Sequence, residues 1–349
     1  ITAHFLLPWR TDIATGVLRH LSRLQGRRVE QETEEEPGKI PHELRDGELA
    51  AIGRIPHRPY FGTVDATALF VMLVADTRDA VLMSELRPTW EAALEWITNY
   101  GDKDGDGFVK FNSGGATDGG TTIQSWKDSH DSMSHASGAL AEGHLAGAEV
   151  QGYSYAAYRA ASDMYGRLGD ARRAELWAER ASVLQEAFDR AFWSNELRSY
   201  AMALDGEKKP LLVLSSNAGQ LLWTGIVKEQ RAPALVKTLF SERLWSGWGI
   251  RTLGTGEQRY NPVSYHNGSV WPHDSAIVAL GLRRYGYISQ AERISSALYD
   301  LAAGEDDRRL PELVAGYPRT EGPPVPYPVA CRPQAWDAAA LIGLAFEME

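Results

Sequence analysis

Apolar side chains recur at helical spacing along most of this 349-residue chain, and this periodicity limits the fold to a predominantly helical one. Within 86–97, apolar residues follow one another at intervals of three and four, so they share one helical face. The same pattern fills 170–192, where Asp170 stands at the start as a suitable N-cap. Helices are predicted over 11–25, 64–76, 86–97, 150–168, 170–192, 216–226, 229–240, 269–285, 288–303 and 334–348.

Long segments rich in glycine, proline and asparagine separate the predicted helices. Loops of this length are uncommon inside a compact domain, and those that occur are often functional. Because they alternate with pairs of helices, we expect helix hairpins joined by long loops on one side, forming a ring with an active face. No linker divides the chain, so we expect one all-α domain over 1–349. Strand signals are short, for example at 199–204 and 211–214.

The composition excludes several classes of protein. Acidic residues outnumber basic ones by 46 to 36, and the net charge of −10 argues against nucleic-acid binding through phosphate contacts. The single cysteine, Cys331, excludes an internal disulfide and a cysteine-based zinc site. No apolar run reaches ~18 residues, which argues against a membrane span and a membrane partner. The first residues carry no charged n-region and no small-residue cleavage site, so we expect a cytoplasmic protein.

Aromatic residues are abundant, with 11 Trp, 14 Tyr and 9 Phe. They fit either a large helical core or a carbohydrate site, in which the flat faces of sugar rings stack on aromatic rings. The segment 261–274 gathers Tyr, His and Trp side chains beside hydrogen-bonding groups, which suits a polyhydroxylated ligand. Ser269 or Asn267 is placed to cap the helix that follows, with Pro272 in its first turn. His266 and His273 are seven residues apart, a spacing that does not favour zinc, so we expect no metal or other cofactor there.

Two carboxylates stand out by their sequence neighbours. Asp128 lies beside Trp126, which desolvates it, and beside Lys127, which favours its ionised form. Glu312 lies in an otherwise apolar stretch. The alternatives are a solvated loop around Asp128 and a salt bridge from Glu312 to a nearby arginine. Two carboxylates on separate loops beside aromatic rings suggest glycoside hydrolysis. A separation of ~6.5–9.5 Å between the carboxyl groups would indicate inversion of the anomeric configuration, and ~5–5.5 Å would indicate retention.

Two further sets of charged residues lie in segments that are predicted to be turns. Glu43, Arg45 and Asp65 lie close to turn-forming proline and glycine. The segment 102–107, with aspartates at 102, 104 and 106, resembles the first half of a calcium-binding EF-hand loop, but Ser113 stands where a glutamate ligand is needed. We expect a tight acidic turn there, and calcium binding stays an open alternative.

Eight motifs, in register from about residue 1 to 348, resemble bacterial proteins of the amylo-α-1,6-glucosidase (glycogen-debranching) type. They lie at 37–45, 60–67, 124–129, 149–153, 246–252, 264–274, 310–313 and 326–336.

The resemblance implies an (α/α)6 toroid, or six-hairpin barrel, that lacks its first inner helix segment, with the N-terminal β-domain of the family absent from this chain. It also implies an inverting, exo-acting hydrolase of α-glucosides, with an oligosaccharide or glucoside as its substrate. The general acid of the family falls on Asp128 and the general base on Glu312. The residues implied to line the sugar pocket are Glu43, Asp65, Trp126, Lys127, Trp248, Arg251, His266, Asn267, Trp271, His273, Gln334 and Trp336.

The sequence departs from the family pattern at three places. Ser125 replaces a glycine, Gln220 stands where histidine is frequent, and a Gly-Arg-Asp segment that usually opens the first inner helix is missing. The last departure supports an alternative, a carbohydrate-binding protein or inactive homologue that retains the sugar pocket. A third interpretation is a sugar isomerase or epimerase on the same toroid, which would need His266 and His273 to face the pocket.

Overall fold

The structure is a computed structural model that describes residues 1–115 and 120–346. Each of the predicted helices is present, with ends within about three residues of the prediction; residues 347–348 of the last one lie outside the described residues. Within the described residues, no helix is both long and apolar enough to cross a membrane. The helices are α1 (Thr2–Leu6), α2 (Thr11–Leu24), α3 (Glu48–Ala51), α4 (Ala66–Asp76), α5 (Ala80–Glu85), α6 (Arg87–Asn99), α7 (Ala148–Arg167), α8 (Ala171–Phe192), α9 (Asn217–Thr224), α10 (Ala232–Leu239), α11 (Pro272–Arg284), α12 (Ile288–Ala303) and α13 (Ala335–Phe346), with a 3-10 turn at Arg319–Glu321.

Helices α1, α3 and α5 were not predicted. They span at most six residues each, which is too short for an apolar repeat to be recognised.

Helices within the described residues contact one another in a closed cycle: α1 with α4, α4 with α7, α7 with α9, α9 with α11, α11 with α13, and α13 with α1. We call these the ring helices. A second set packs against them, with α2 on α1, α6 on α4, α8 on α7, α10 on α9 and α12 on α11.

Burial along the helices explains which of them join the ring. In α4, a continuous run from Phe70 to Val74 is buried, as in a helix that is surrounded on all sides. In α8, burial follows one stripe, including Trp177, Ala181 and Leu184, as in a helix with one face in water. The buried apolar side chains form one connected core that includes residues of every ring helix.

The ring helices α7, α9 and α11 begin side by side. Glu149, in the first turn of α7, accepts a 2.9 Å hydrogen bond from Asn217, the first residue of α9. Gln220 of α9 donates to Asp274 in the first turn of α11 at 2.5 Å. These starts face the long loops before the helices, where the predicted site residues lie.

The start of α11 is capped from another helix. Pro272 occupies its first turn as predicted, but the prediction that Ser269 or Asn267 caps it is wrong. Instead, Asp337 of α13 accepts a 2.9 Å hydrogen bond from the backbone N–H of His273. This N–H is one of the first in α11 and has no partner within the helix, so Asp337 does the work of a local cap. The two ring helices are thereby joined at their N-terminal ends.

Short strands connect the helices. Those within the described residues are β1 (Phe111–Asn112), β2 (His144–Gly147), β3 (Trp193–Ser194), β4 (Ser199–Tyr200) and β5 (Ala203–Leu204), in antiparallel sheets ordered β1-β2-β5 and β3-β4. The predicted strand over 199–204 is present as β4 and β5. The prediction of a strand at 211–214 is wrong: pairing beside β5 ends at Leu211, whose N–H donates to Ala203 and whose carbonyl accepts from Met202, because the N–H of Val213 turns back to the carbonyl of Leu211.

Candidate active site

The loops that carry Asp128 and Glu312 meet at the dipeptide of Tyr265 and His266. The phenol of Tyr265 donates a 2.7 Å hydrogen bond to Oε1 of Glu312. Nδ1 of His266 lies 2.7 Å from Oγ of Ser129 and 4.0 Å from the carboxylate of Asp128. The two loops that carry these carboxylates are therefore tied to neighbouring residues of one segment.

Asp128 combines access to water with an environment that favours its protonated form. Its side chain is 43% exposed. Even so, the protein atoms around the carboxyl raise its pKa above the ordinary value of an aspartate, and the negative charges of Asp65 and Glu43 raise it further, while His42 opposes the shift. A carboxylic acid of this kind keeps its proton to a higher pH than an isolated aspartate and can still reach a ligand.

Glu312 is buried and firmly oriented. Its Oε1 accepts hydrogen bonds from Tyr265 and, at 3.1 Å, from Gln334, while Oε2 accepts a 2.8 Å bond from the backbone N–H of Cys331. An antiparallel bridge between Val270 and Val314, with N···O distances of 2.9 and 3.0 Å, fixes the Glu312 loop against the 265–271 loop. The carboxylate is thus held in one position.

Aromatic rings around these carboxylates form a contiguous group, which we call the aromatic cluster. His266 stacks on Trp271 at 4.9 Å between centroids, and His273 stacks on Trp336 at 3.9 Å. The rings that retain some exposure are available to face a ligand, whereas His266, Trp271 and His273 are buried behind them. The members of the cluster are Trp126, Tyr265, His266, Trp271, His273, Tyr327 and Trp336.

Glu43 and Asp65 lie close enough for their charges to act on Asp128. Glu43 pairs with Arg45 and lies 3.3 Å from Nε2 of His57. Asp65, at the start of α4, accepts a 2.5 Å hydrogen bond from Thr63.

Lys127, which the sequence resemblance implies to line the pocket, follows Trp126 into the protein interior. Its side chain is fully buried, and its ammonium donates 2.6 Å hydrogen bonds to Oδ1 of Asn217 and to the carbonyl of Thr252. Burial lowers the pKa of Lys127 to about 8, while the negative charges of Asp274 and Glu149 oppose that shift. Lys127 therefore anchors the Asp128 loop to the starts of the ring helices.

Gln220, the departure from the family pattern, belongs to the same buried network. It accepts a hydrogen bond from the phenol of Tyr153 and donates one to Asp274. Burial raises the pKa of Asp274 and that of Glu149.

Three other predicted pocket residues have structural contacts. Arg251 is buried and donates to the carbonyls of Gly316, at 2.6 Å, and Glu242, at 3.0 Å. Asn267 is buried and donates a 3.1 Å bond to the carbonyl of Asp131, so it ties the Asp128 loop to the 265–271 loop. Trp248 is buried, and the guanidinium carbon of Arg319 lies 4.4 Å from its ring centroid.

Sequence reasoning left four residues at this site without a role: Tyr265, Tyr327, Cys331 and His42. The 261–274 motif drew attention to Tyr265, but nothing in the sequence indicates its partner 47 positions later. The contacts of Tyr327 with Tyr265 and of Cys331 with Glu312 arise from the fold alone.

The acidic segment is a tight turn, as predicted. Both carboxylate oxygens of Asp102 accept backbone N–H bonds from this turn, including that of Gly107 at 2.8 Å. Oxygen atoms of the aspartates at 102, 104 and 106 lie within 4.8 Å of one another, the spacing of a cation site. However, the ammonium groups of Lys110 and Lys208 pair with the last two aspartates, so two of the three negative charges are already offset by lysine side chains.

Comparisons with known proteins give a consistent assignment. Residues 63–315 match the family described as mannosylglycerate hydrolase MGH1-like glycoside hydrolase domain. A curated relative, mannosylglycerate hydrolase MGH1 of Selaginella moellendorffii, is 30% identical over 126 residues, which are 36% of this chain and 25% of that protein. The match thus spans about a quarter of the relative's length.

Solved structures agree in fold. A GH63 mannosylglycerate hydrolase from Thermus thermophilus, in complex with glucose, superimposes with a TM-score of 0.69 at 18% identity, covering 100% of this chain and 92% of that one. The same enzyme with Tris and D-glycerate gives a TM-score of 0.69 at 17% identity, covering 99% and 92%. An uncharacterized conserved protein from the same organism gives 0.68 at 16% identity, covering 99% and 91%.

These findings define the class as glycoside hydrolases. The chain belongs to the MGH1-like glycoside hydrolase family. The sequence-based resemblance thus identified a glycoside hydrolase, but its finer assignment to the amylo-α-1,6-glucosidase type is not confirmed by these matches.

Proposed function

We propose that this chain is an inverting glycoside hydrolase with Asp128 as general acid and Glu312 as general base. One observation carries the proposal: adjacent residues, Tyr265 and His266, hold both carboxylate loops beside one aromatic cluster. We further propose that the cycle of ring helices is the (α/α)6 toroid implied by the sequence, in one catalytic domain over 1–349.

In the proposed reaction, the carboxylic acid of Asp128 donates its proton to the glycosidic oxygen as the bond to the anomeric carbon breaks. Glu312 removes a proton from a water molecule, which attacks the anomeric carbon from the opposite face, so the configuration inverts. The raised pKa of Asp128 supports its part as donor. The hydrogen bonds that orient Glu312 support its part as a base aimed at one water position.

For the substrate, we propose a small glycoside of the mannosylglycerate type. Support comes from the family match and from the named activities of the Selaginella relative and the Thermus enzyme. The α-glucoside substrates implied by the sequence resemblance, including debranching substrates, are the alternative. In either case, the partly exposed rings of Trp126, Tyr265 and Trp336 would stack on sugar faces.

The remaining alternatives differ in their support. A carbohydrate-binding protein without turnover would keep the aromatic cluster and fits the same geometry. The isomerase interpretation needs His266 and His273 to face the pocket, yet both are buried. Burial also lowers the pKa of His273 to about 3 and that of His266 well below its ordinary value, so neither is suited to accept a proton.

The test compares the wild-type chain with Asp128→Asn and with the control Asp131→Asn, which changes a carboxyl on the same loop. Mannosylglycerate, maltose and isomaltose serve as substrates, and NMR identifies the first anomer released. We expect inversion, and a ~10²–10⁴-fold loss of turnover in Asp128→Asn only, because general acid catalysis contributes about that much. Equal rates for wild type and Asp128→Asn, or retention of configuration, would overturn the mechanism. Calorimetric binding without hydrolysis would favour the carbohydrate-binding alternative.

A further inference from the structure

A cavity lies at the end of the ring helices opposite the candidate active site. Its volume is about 670 Å³, and its lining comes from the C-terminal halves of α4, α7, α9 and α11. The site residues lie at the N-terminal ends of these helices. Along α11, Asp274 and Arg283 are nine residues apart, or about 14 Å at 1.5 Å per residue. The cavity is therefore separate from the carboxylates.

Arginine dominates this cavity. Of its described lining residues, the cationic ones are Arg78, Arg159, Arg167, Arg283 and Arg284, and the anionic ones are Asp76 and Asp163. The lining thus carries an excess of three positive charges. The whole chain has a net charge of −10, so this concentration of arginine runs against the overall balance. We call this site the arginine cavity.

The local ion pairs leave part of this charge uncompensated. Arg167 pairs with Asp163 at 2.8 Å, and Asp76 lies 3.2 Å from Nδ1 of His4. Arg283 differs, because its Nε and one terminal nitrogen are buried and have no hydrogen-bond partner among the described residues. Buried donors that are left unpaired are costly, and such groups in native proteins often await an ion or ligand.

Helix ends explain only part of the arrangement. Cations in the last turn of a helix interact favourably with its C-terminal carbonyls, which accounts for the positions of Arg167, Arg283 and Arg284. Arg284 indeed donates to the carbonyl of Trp223 at 3.1 Å. Arg159 lies in the middle of α7, however, and the unpaired nitrogens of Arg283 contact no carbonyl among the described residues. Helix ends therefore do not account for the position of Arg159 or for the missing partners of these Arg283 nitrogens.

We propose that the arginine cavity binds a small phosphate-bearing anion, either free phosphate or the phosphate group of a small metabolite. The planar guanidinium offers paired N–H donors that match a phosphate in geometry, and it stays charged at all physiological pH values. The cavity is large enough for such a molecule. The net negative charge of the chain disfavours long polyanions, which would have to approach the rest of the surface. This inference is independent of the proposed hydrolase activity.

Titration calorimetry tests the proposal on the full chain. Inorganic phosphate and a sugar monophosphate are the probes, with sodium chloride at matched ionic strength as the reference. We expect saturable binding at one site. Tighter binding of the sugar monophosphate would identify the phosphate group of a metabolite as the ligand, and tighter binding of inorganic phosphate would identify free phosphate. Arg159→Gln and Arg283→Gln should each weaken binding at least tenfold. The control Arg172→Gln changes an exposed arginine on α8 that does not line the cavity and should bind like wild type.

Folding and binding are separable in this design. Arg159 is exposed, so its replacement should leave the chain folded even if Arg283→Gln does not. Far-UV circular dichroism and thermal unfolding report on the fold of each variant without relying on hydrolysis. Absence of saturable binding, or equal weakening by Arg159→Gln and Arg172→Gln, would overturn the proposal. The second outcome would mean nonspecific counterion binding.

Discussion

The phenol of Tyr265 donates a 2.7 Å hydrogen bond to Oε1 of Glu312, 47 positions later in the chain. Burial and the charges of Glu312 and Asp128 raise the pKa of Tyr265, so the phenol keeps its proton and remains a donor. The bond positions the proposed base relative to the aromatic cluster and to the Asp128 loop.

Removal of this hydroxyl should impair turnover more than binding. Tyr265→Phe keeps the ring but loses the donor, and a hydrogen bond to a charged group contributes about 1.5–3 kcal/mol, or roughly ten- to hundredfold. We expect kcat to fall by that factor with a smaller change in KM. The control Tyr317→Phe removes a hydroxyl from a more exposed ring and should leave both unchanged. An unaltered kcat in Tyr265→Phe would show that the bond does not position the base.

The pH profile of kcat/KM should depend on the charge of Glu43. The negative charge of Glu43 helps to raise the pKa of Asp128, so Glu43→Gln should lower that pKa. The proton donor would then be lost at a lower pH, and the basic limb of the profile should move to lower pH. Glu175→Gln, on an exposed position of α8, serves as the control. An unmoved limb in Glu43→Gln would mean that a different group titrates there.

Alkylation of the single cysteine should inhibit the enzyme. Cys331 is exposed, and its backbone N–H donates to Oε2 of Glu312, so a maleimide on its sulfur would crowd the proposed base. The charge of Glu312 raises the pKa of the Cys331 thiol, so alkylation should speed up as the pH rises above neutrality. Cys331→Ala keeps the backbone donor and should be active and resistant. Mass spectrometry measures the extent of labelling. Full activity of the completely labelled protein would contradict the proposed position of Cys331 beside the catalytic base.

Two glycines should respond oppositely to the same substitution. A Cβ on Gly316 would lie 1.8 Å from the carbonyl oxygen of Gly268, so Gly316→Ala must displace the loop next to Glu312. We expect it to lose about 1–3 kcal/mol of unfolding free energy. A Cβ on Gly16, inside α2, would meet nothing within 4 Å, and Gly16→Ala should gain about 0.5–1 kcal/mol. Chemical denaturation measures both, and a neutral Gly316→Ala would show that the loop can adjust.

Local patterns in the sequence predict most of the helices and the types of side chain at the candidate site. Apolar spacing located helices such as 288–303 with ends that match α12, because a helical face is set within a few turns of chain. Asp170 is predictable as an N-cap for the same reason, since its carboxylate accepts a hydrogen bond from the backbone N–H of Arg173 only three residues away. The many aromatic and polar residues in 261–274 likewise predict that this segment belongs to the site. In the structure, it contacts both loops that carry the proposed catalytic residues.

Which of these side chains are exposed and which are buried depends on tertiary contacts. Lys127 is next to Asp128 in sequence, yet its partner Asn217 is 90 positions away, and that contact buries the ammonium. The cap on α11 comes from Asp337 because α11 and α13 pack side by side. Contacts between residues so far apart in sequence depend on how the ring helices pack, which no local pattern encodes. The arginine cavity likewise forms only where four ring helices pack together.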